Sequence, residues 1–136
     1  MLRYMLDINI ATYVLKNRPE HLRRKFNENA GRLALSAVAL SELAYGAEKS
    51  SRVAANLEIL DGFIARLEVL PFDEAAAYHA GQIRADLQEA GPPIGAYDVM
   101  IAGHARSAGL TVVTNNRREF ERVPGLQLAD WSPGTS

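Results

Sequence analysis

The apolar and polar positions divide the chain into short uncharged runs and longer segments with a helical period. Tyr4 to Leu6 is an apolar run closed by Asp7, and the apolar spacing from Ile8 to Leu15 predicts a helix directly behind it. Pro19 suits the first turn of a second helix, Glu20 to about Asn27, with Asn29 and Gly31 as its stop. Leu33 to Val38 is uncharged, as a buried parallel strand should be, and Ala39 to Glu48 reads as a helix broken by Lys49, Ser50 and Ser51. Val53, Leu57, Leu60 and Ile64 recur at helical spacing over Arg52 to Ala65. Leu67 to Leu70 is a third strand stopped by Pro71. Asp73 then caps a long helix to Ala90, with Ala76, Ala80, Ile83 and Leu87 on one face. A rigid loop, Gly91 to Gly95, leads to a helix from about Tyr97 to Ser107 that ends at Gly109. Leu110 to Thr114 is a fourth strand, Arg117 to Glu121 a short helical piece, and Leu126 to Leu128 a last strand.

Strands alternating with helices imply right-handed crossovers, hence an α/β domain with a central, mainly parallel sheet covered by helices on both faces. The 136 residues suit one such domain, expected over 1–132 with a polar tail at 133–136. Ligands of these folds sit beyond the carboxyl ends of the strands, where Asp7 and the Asn115/Asn116 pair fall from opposite ends of the sequence.

Composition narrows the chemistry. The absence of cysteine excludes disulfides, thiolate metal sites and thiol catalysis. No apolar run approaches the ~20 residues of a membrane span and Met1 to Asp7 is unlike a signal peptide, so a cytoplasmic protein is expected. A net charge of −1 argues against coating nucleic acid by charge alone, although 12 of the 15 basic residues are Arg, the side chain suited to bidentate phosphate contacts.

Against an overall 23% of charged residues, the segments 4–15, 33–47 and 90–103 hold one charge each: Asp7, Glu42 and Asp98. Such segments are expected to be mostly interior, where an unpaired carboxylate is expensive, and none of them supplies a Lys or Arg. Each acid also has a structural explanation, Asp7 and Asp98 as helix N-caps and Glu42 at the positive end of a helix begun by Ser41. If the three converge, each pair at ~4 Å repels by roughly 1 to 4 kcal/mol before desolvation, and a bound cation or proton is required. Hard oxygen ligands without His or Cys favour Mg²⁺, with Mn²⁺ as substitute, and such a site hydrolyses phosphodiesters by activating a water. His104, at helical spacing from Ile101 and Ala105, reads as a packed histidine, and His21 and His79 have no recognisable partners.

Four ordered motifs then identify a family resemblance: Met5-Leu6-Asp7-Ile8-Asn9-Ile10, Ser41-Glu42-Leu43-Ala44-Tyr45-Gly46, Ile94 to Ala105 around Tyr97-Asp98-Val99-Met100-Ile101-Ala102, and Thr114-Asn115-Asn116-Arg117-Arg118-Glu119-Phe120. The chain resembles, over nearly its whole length, the PIN-domain endoribonucleases and among them the VapC toxins of VapBC toxin–antitoxin pairs. Lys16-Asn17-Arg18-Pro19 and Asp130-Trp131 are similar to the enteric-type branch, which cuts initiator tRNA in the anticodon stem-loop.

The resemblance implies that Asp7 and Asp98 bind Mg²⁺, that Glu42 completes the first carboxylate set and that Glu119 supplies a fourth acid. Asn116 stands where many PIN domains carry an acid, and Ile8 where Thr is usual, leaving Asn9 to supply the polar contact. Thr114, Asn115 and Asn116 are the supporting polar groups, and Arg18, Arg23, Arg24, Arg117 and Arg118 the candidates for gripping RNA. Glu119, set among Arg117, Arg118, Glu121 and Arg122, suits an exposed ion-pairing role equally well. The resemblance further implies a VapB antitoxin that inserts an extended segment, often with a basic side chain, into the acidic pocket, and a homodimer formed through helices, for which the apolar face of Arg52 to Ala65 is one candidate. A phosphoacceptor receiver domain needs an adjacent acidic pair and a late lysine; Ile8 follows Asp7 and Lys49 is the last lysine. A PIN-type protein that binds RNA or a partner without cleaving remains the closer alternative.

Overall fold

The computed structural model describes residues 1–131; the polar tail expected at 133–136 lies outside the described residues. The elements run β1 Tyr4–Leu6, α1 Ile8–Asn17, α2 Glu20–Glu28, β2 Leu33–Ser36, α3 Ala37–Glu48, α4 Val53–Ile64, β3 Glu68–Leu70, α5 Glu74–Ala90, α6 Ala96–Ser107, β4 Thr111–Val113, α7 Arg117–Phe120 and β5 Leu128–Ala129. The five strands form one sheet in the order β3-β2-β1-β4-β5, every neighbouring pair parallel. The expected α/β architecture is therefore present. The chain starts in the middle of the sheet, builds outward through β2 and β3, then crosses back to lay β4 and β5 on the other side of β1. Strand order reverses between β1 and β4, and in open parallel sheets the crevice at that reversal holds the ligand.

Several boundaries differ from the sequence reading for local reasons. β2 stops at Ser36 rather than Val38, because the Ser36 hydroxyl accepts from the Val38 N–H and starts α3 two residues early. Pro19 is the N-cap of α2, not its first turn, and β5 lies at Leu128–Ala129 rather than Leu126 to Leu128. On α4 only Leu60 of the anticipated face is fully buried, while Val53, Leu57 and Ile64 are half-buried.

The core is continuous across the sheet, from Leu6, Leu35 and Val112 to Ile83 and Leu87 of α5 and Ile101 of α6. Helices α5 and α6 meet without space to spare: a Cβ added at Gly103 would lie 2.5 Å from the Ala80 backbone nitrogen. Trp131 joins the same core, packing edge-on against Tyr4 and Phe26 with ring centroids 5.0 and 6.3 Å apart. His104 is buried, as its spacing indicated. Its Nδ1 lies 2.8 Å from the Ser36 hydroxyl and its ring packs edge-on against Phe72, and burial lowers its pKa. Among the described residues no helix is long and apolar enough to cross a membrane.

The expectation that the three charge-poor segments are interior holds for Leu33–Ser36, all four residues of which are buried, and for Met5 to Asp7. It fails for the loop into α6. From Gly91 to Tyr97 every residue except Ile94 is exposed, so the lack of charge there does not come from burial.

Candidate active site

Asp7 leaves β1 at the strand-order reversal and carries out two tasks with its two oxygens. Oδ1 accepts the Ile10 N–H at 2.7 Å and so caps α1; Oδ2 accepts the Thr114 hydroxyl at 2.5 Å. Its backbone N–H donates to the Val113 carbonyl, extending the β1–β4 ladder to the site. Thr114, fully buried, also accepts the Asn116 N–H at 2.8 Å, which turns the chain from β4 into α7. Asp7 itself is fully buried. Burial raises its pKa, and the Thr114 and Ile10 hydrogen bonds oppose that rise by favouring the ionised form.

Asp98 sits in the first turn of α6, whose N-cap is Gly95, so Asp98 is not the cap that one structural reading made it. Its carboxyl pKa is pushed up to about 6, first by burial, then by the negative charges of Glu119 and Asp7, and by a hydrogen bond with Glu119. Asp7, Asp98 and Glu119, from three separate parts of the chain, therefore meet at one place. The ion pairs Arg24–Glu20 and Arg117–Glu121 lie at the surface and involve none of them. Among the described residues no three acidic or histidine side chains are close enough to cage an ion by themselves. A Mg²⁺ site does not demand that, since the ion keeps several waters and takes one or two carboxylates.

Glu42 is half-buried on α3, where it lines a cleft of about 350 Å³ with Thr12, Lys16, Lys49 and Asn56; it is not among the charges acting on Asp98. Ile8 packs against the core and Asn9 is exposed beside Asp7, while Asn115 is exposed and Asn116 half-buried. The basic candidates divide into two groups. Arg117 and Arg118 flank Glu119 on α7, both exposed. Arg18 and Arg23 line a cleft of about 500 Å³ between α1, α2 and α4, at the far end of α1 and roughly 15 Å from Asp7, with Arg24 exposed nearby.

Two residues at the mouth escaped the sequence reading except as members of a motif. A Cβ at Gly95 would lie 3.5 Å from Asp98 Oδ2, so the glycine leaves that carboxylate uncovered, and Tyr97 beside it is 48% exposed. Charge depletion marks their segment, although it predicts burial where the structure shows exposure.

The PIN domain family model matches residues 4–126. The chain is 56% identical over 131 residues to the tRNA(fMet)-specific endonuclease VapC of Salmonella typhimurium, covering 96% of this chain and 99% of that one. It is 55% identical over 132 residues to the protein of the same name from Shigella flexneri, covering 97% and 100%. Among solved structures, it superposes on DNA-bound VapBC from Salmonella typhimurium with a TM-score of 0.95 at 56% identity, covering 97% and 100%. VapBC2 of Rickettsia felis bound to a promoter DNA fragment gives 0.92 at 36% identity, covering 96% and 100%. With the sheet order, the acids at its reversal and these likenesses in agreement over nearly every residue, the chain belongs to the PIN-domain family, in its VapC ribonuclease branch.

Proposed function

We propose that this protein is the toxin of a VapBC pair, a Mg²⁺-dependent endoribonuclease that cuts the anticodon stem-loop of initiator tRNA and so stops translation. The observation that carries the chemistry is the meeting of Asp7, Asp98 and Glu119 at the strand-order reversal, where the ion pairs found among the described residues involve none of them. The substrate follows the Salmonella and Shigella relatives, named tRNA(fMet)-specific endonucleases. The partner, a VapB antitoxin, follows the VapBC assemblies; the toxin homodimer and the cytoplasmic location follow from the family resemblance.

PIN-domain nucleases in general depend on a divalent metal, and the donor set fits one. It consists of hard carboxylate oxygens; burial, and then the negative charges of Glu119 and Asp7, lift Asp98 to about 6, and a dication relieves that repulsion. Asp7 and Asp98 would hold Mg²⁺, or Mn²⁺ in its place, with Glu42 completing the carboxylate set from α3. When bound, the ion supplies a water of lowered pKa and charge stabilisation at the phosphate. Thr114, by its hydrogen bond, opposes the effect of burial on Asp7 and aims its carboxylate. Glu119, hydrogen-bonded to Asp98, orients the attacking water and takes its proton, and Asn9, Asn115 and Asn116 supply polar contacts around the phosphate. Arg117 and Arg118 grip the backbone beside the cut, with Arg18, Arg23 and Arg24 holding more distant phosphates.

The test is incubation of the purified protein with initiator tRNA, with and without Mg²⁺, followed by mapping of the ends. Cleavage only with metal, leaving 3′-hydroxyl and 5′-phosphate ends and abolished by Asp7→Asn and Asp98→Asn, is expected. Ends bearing 2′,3′-cyclic phosphate would exclude water as the nucleophile. RNA binding without cleavage would make this a silent PIN-type binding protein.

A further inference from the structure

Two unlike segments of the chain adjoin the three acids. One is helix α7, which brings Arg117 and Arg118 next to Glu119. The other is the exposed stretch from Gly91 to Tyr97, which carries no charge in a chain that is 23% charged. An exposed segment without charge beside three acids offers a surface for a flat, uncharged group rather than for phosphate.

Tyr97 is the aromatic of that stretch. Of the other exposed tyrosines, Tyr45 is covered by the Lys49 ammonium 4.9 Å from its ring centre, and Tyr78 lies on α5 over a shallow surface with Glu74 and Gln82. Tyr13 is six residues along α1 from Asp7, about 9 Å away. Exposed Tyr97 shares the first turn of α6 with Asp98, so both stand at the helix end that carries the acid. No ring or cation packs on it among the described contacts, whereas Phe26, Phe72 and Trp131 all have aromatic neighbours. The absent side chain at Gly95 leaves the space next to Asp98 open to a ligand.

A nucleotide has the same polarity as this mouth, an anionic phosphate at one end and a flat π-face at the other. Bases in single-stranded loops can be splayed out and stacked on aromatic side chains; bases inside a duplex cannot. We propose that Tyr97 is the stacking platform for the unpaired base adjacent to the scissile phosphate, so that the site selects RNA with an unstacked nucleotide and rejects the same sequence in a helix. This deepens the ribonuclease reading and rests on it.

The experiment is a double-mutant cycle. Tyr97→Ala and Tyr97→Phe are each assayed on a synthetic anticodon stem-loop of initiator tRNA, and on the same RNA made abasic at one nucleotide flanking the mapped cut, each flank in turn. Tyr97→Ala is expected to lower kcat/KM about 10-fold on the intact RNA, Tyr97→Phe to stay within about two-fold of wild type, and the Ala penalty to vanish on one of the two abasic RNAs. Unchanged thermal melting confirms that the half-exposed position was altered without unfolding. The same RNAs are also titrated by fluorescence anisotropy against Asp7→Asn protein with and without Tyr97→Ala, a readout that needs no cleavage. Wild type that fails to cut the intact RNA overturns the ribonuclease reading and the platform with it, whereas wild type that cuts while Tyr97→Ala leaves binding by the Asp7→Asn protein unchanged overturns the platform alone. Equal kcat/KM for Tyr97→Ala and wild type, a penalty that persists on both abasic RNAs, or an equal loss with Tyr97→Phe overturns the platform.

Discussion

Neutralising Asp98 should stabilise the protein while silencing it. The carboxyl binds its proton more tightly folded than unfolded, with a pKa raised from 3.8 to about 6. Between about pH 4 and pH 6 the folded state therefore holds a proton that the unfolded state has released, and stability falls as pH rises through that window. A shift of this size corresponds to roughly 3 kcal/mol. Asp98 is only half-buried, so water screens part of that, and about 1–2 kcal/mol remains as the destabilisation at pH 7.5. Asp98→Asn removes it while keeping a donor for Glu119. In EDTA at pH 7.5 the variant should melt about 3–8 °C above wild type. At pH 5 the gain should shrink to about half, because the wild-type carboxyl has by then regained much of its proton. Urea titrations at the two pH values, beside thermal scans, measure both quantities. A variant less stable than wild type at pH 7.5, or a gain of equal size at pH 5, would refute the claim that charge repulsion and desolvation govern this residue.

Thr114→Val removes the donor that favours ionised Asp7, so the acid limb of the kcat/KM profile should move to higher pH, and the lost charge-assisted bond should cost about 1.5–3 kcal/mol in chemical denaturation. Gly103→Ala forces a Cβ to within 2.5–2.9 Å of Ala80 and should destabilise by about 1–3 kcal/mol without altering the chemistry; an unchanged unfolding midpoint would show that α5 and α6 have slack. Arg118→Ala should weaken RNA binding at all sequences alike and flatten the dependence of log affinity on log salt by about one, read from titrations at several salt concentrations.

Asp7 was legible because an acid alone among apolar residues, at the join of a strand pattern and a helix pattern, lies at a sheet's carboxyl edge whatever the rest does. Of its two sequence readings the helix cap is seen directly, Oδ1 accepting from Ile10, while Oδ2 accepts from Thr114. Glu119 was not legible from its surroundings, where flanking charges mimic a solvated surface; only the family resemblance drew attention to it. Where Glu42 stands relative to Asp7 depends on how α3 packs across α1, a tertiary distance that spacing does not encode. The loop before α6 misled for a different reason: composition records that charge is missing, not what covers the segment. Ser36 shows the same limit in miniature, since an uncharged run into a helix conceals where its hydroxyl ends the strand.

The contact of Gly103 with Ala80 has a consequence beyond packing. Seated backbone to backbone against its neighbour, α6 holds its acid close to the others. The hollow waits like a compressed spring with its clamp in place, and only an arriving positive charge releases it. A metal ion, or a basic side chain of the kind the family resemblance implies for the antitoxin, would draw on the same unrelieved repulsion and compete for a single seat.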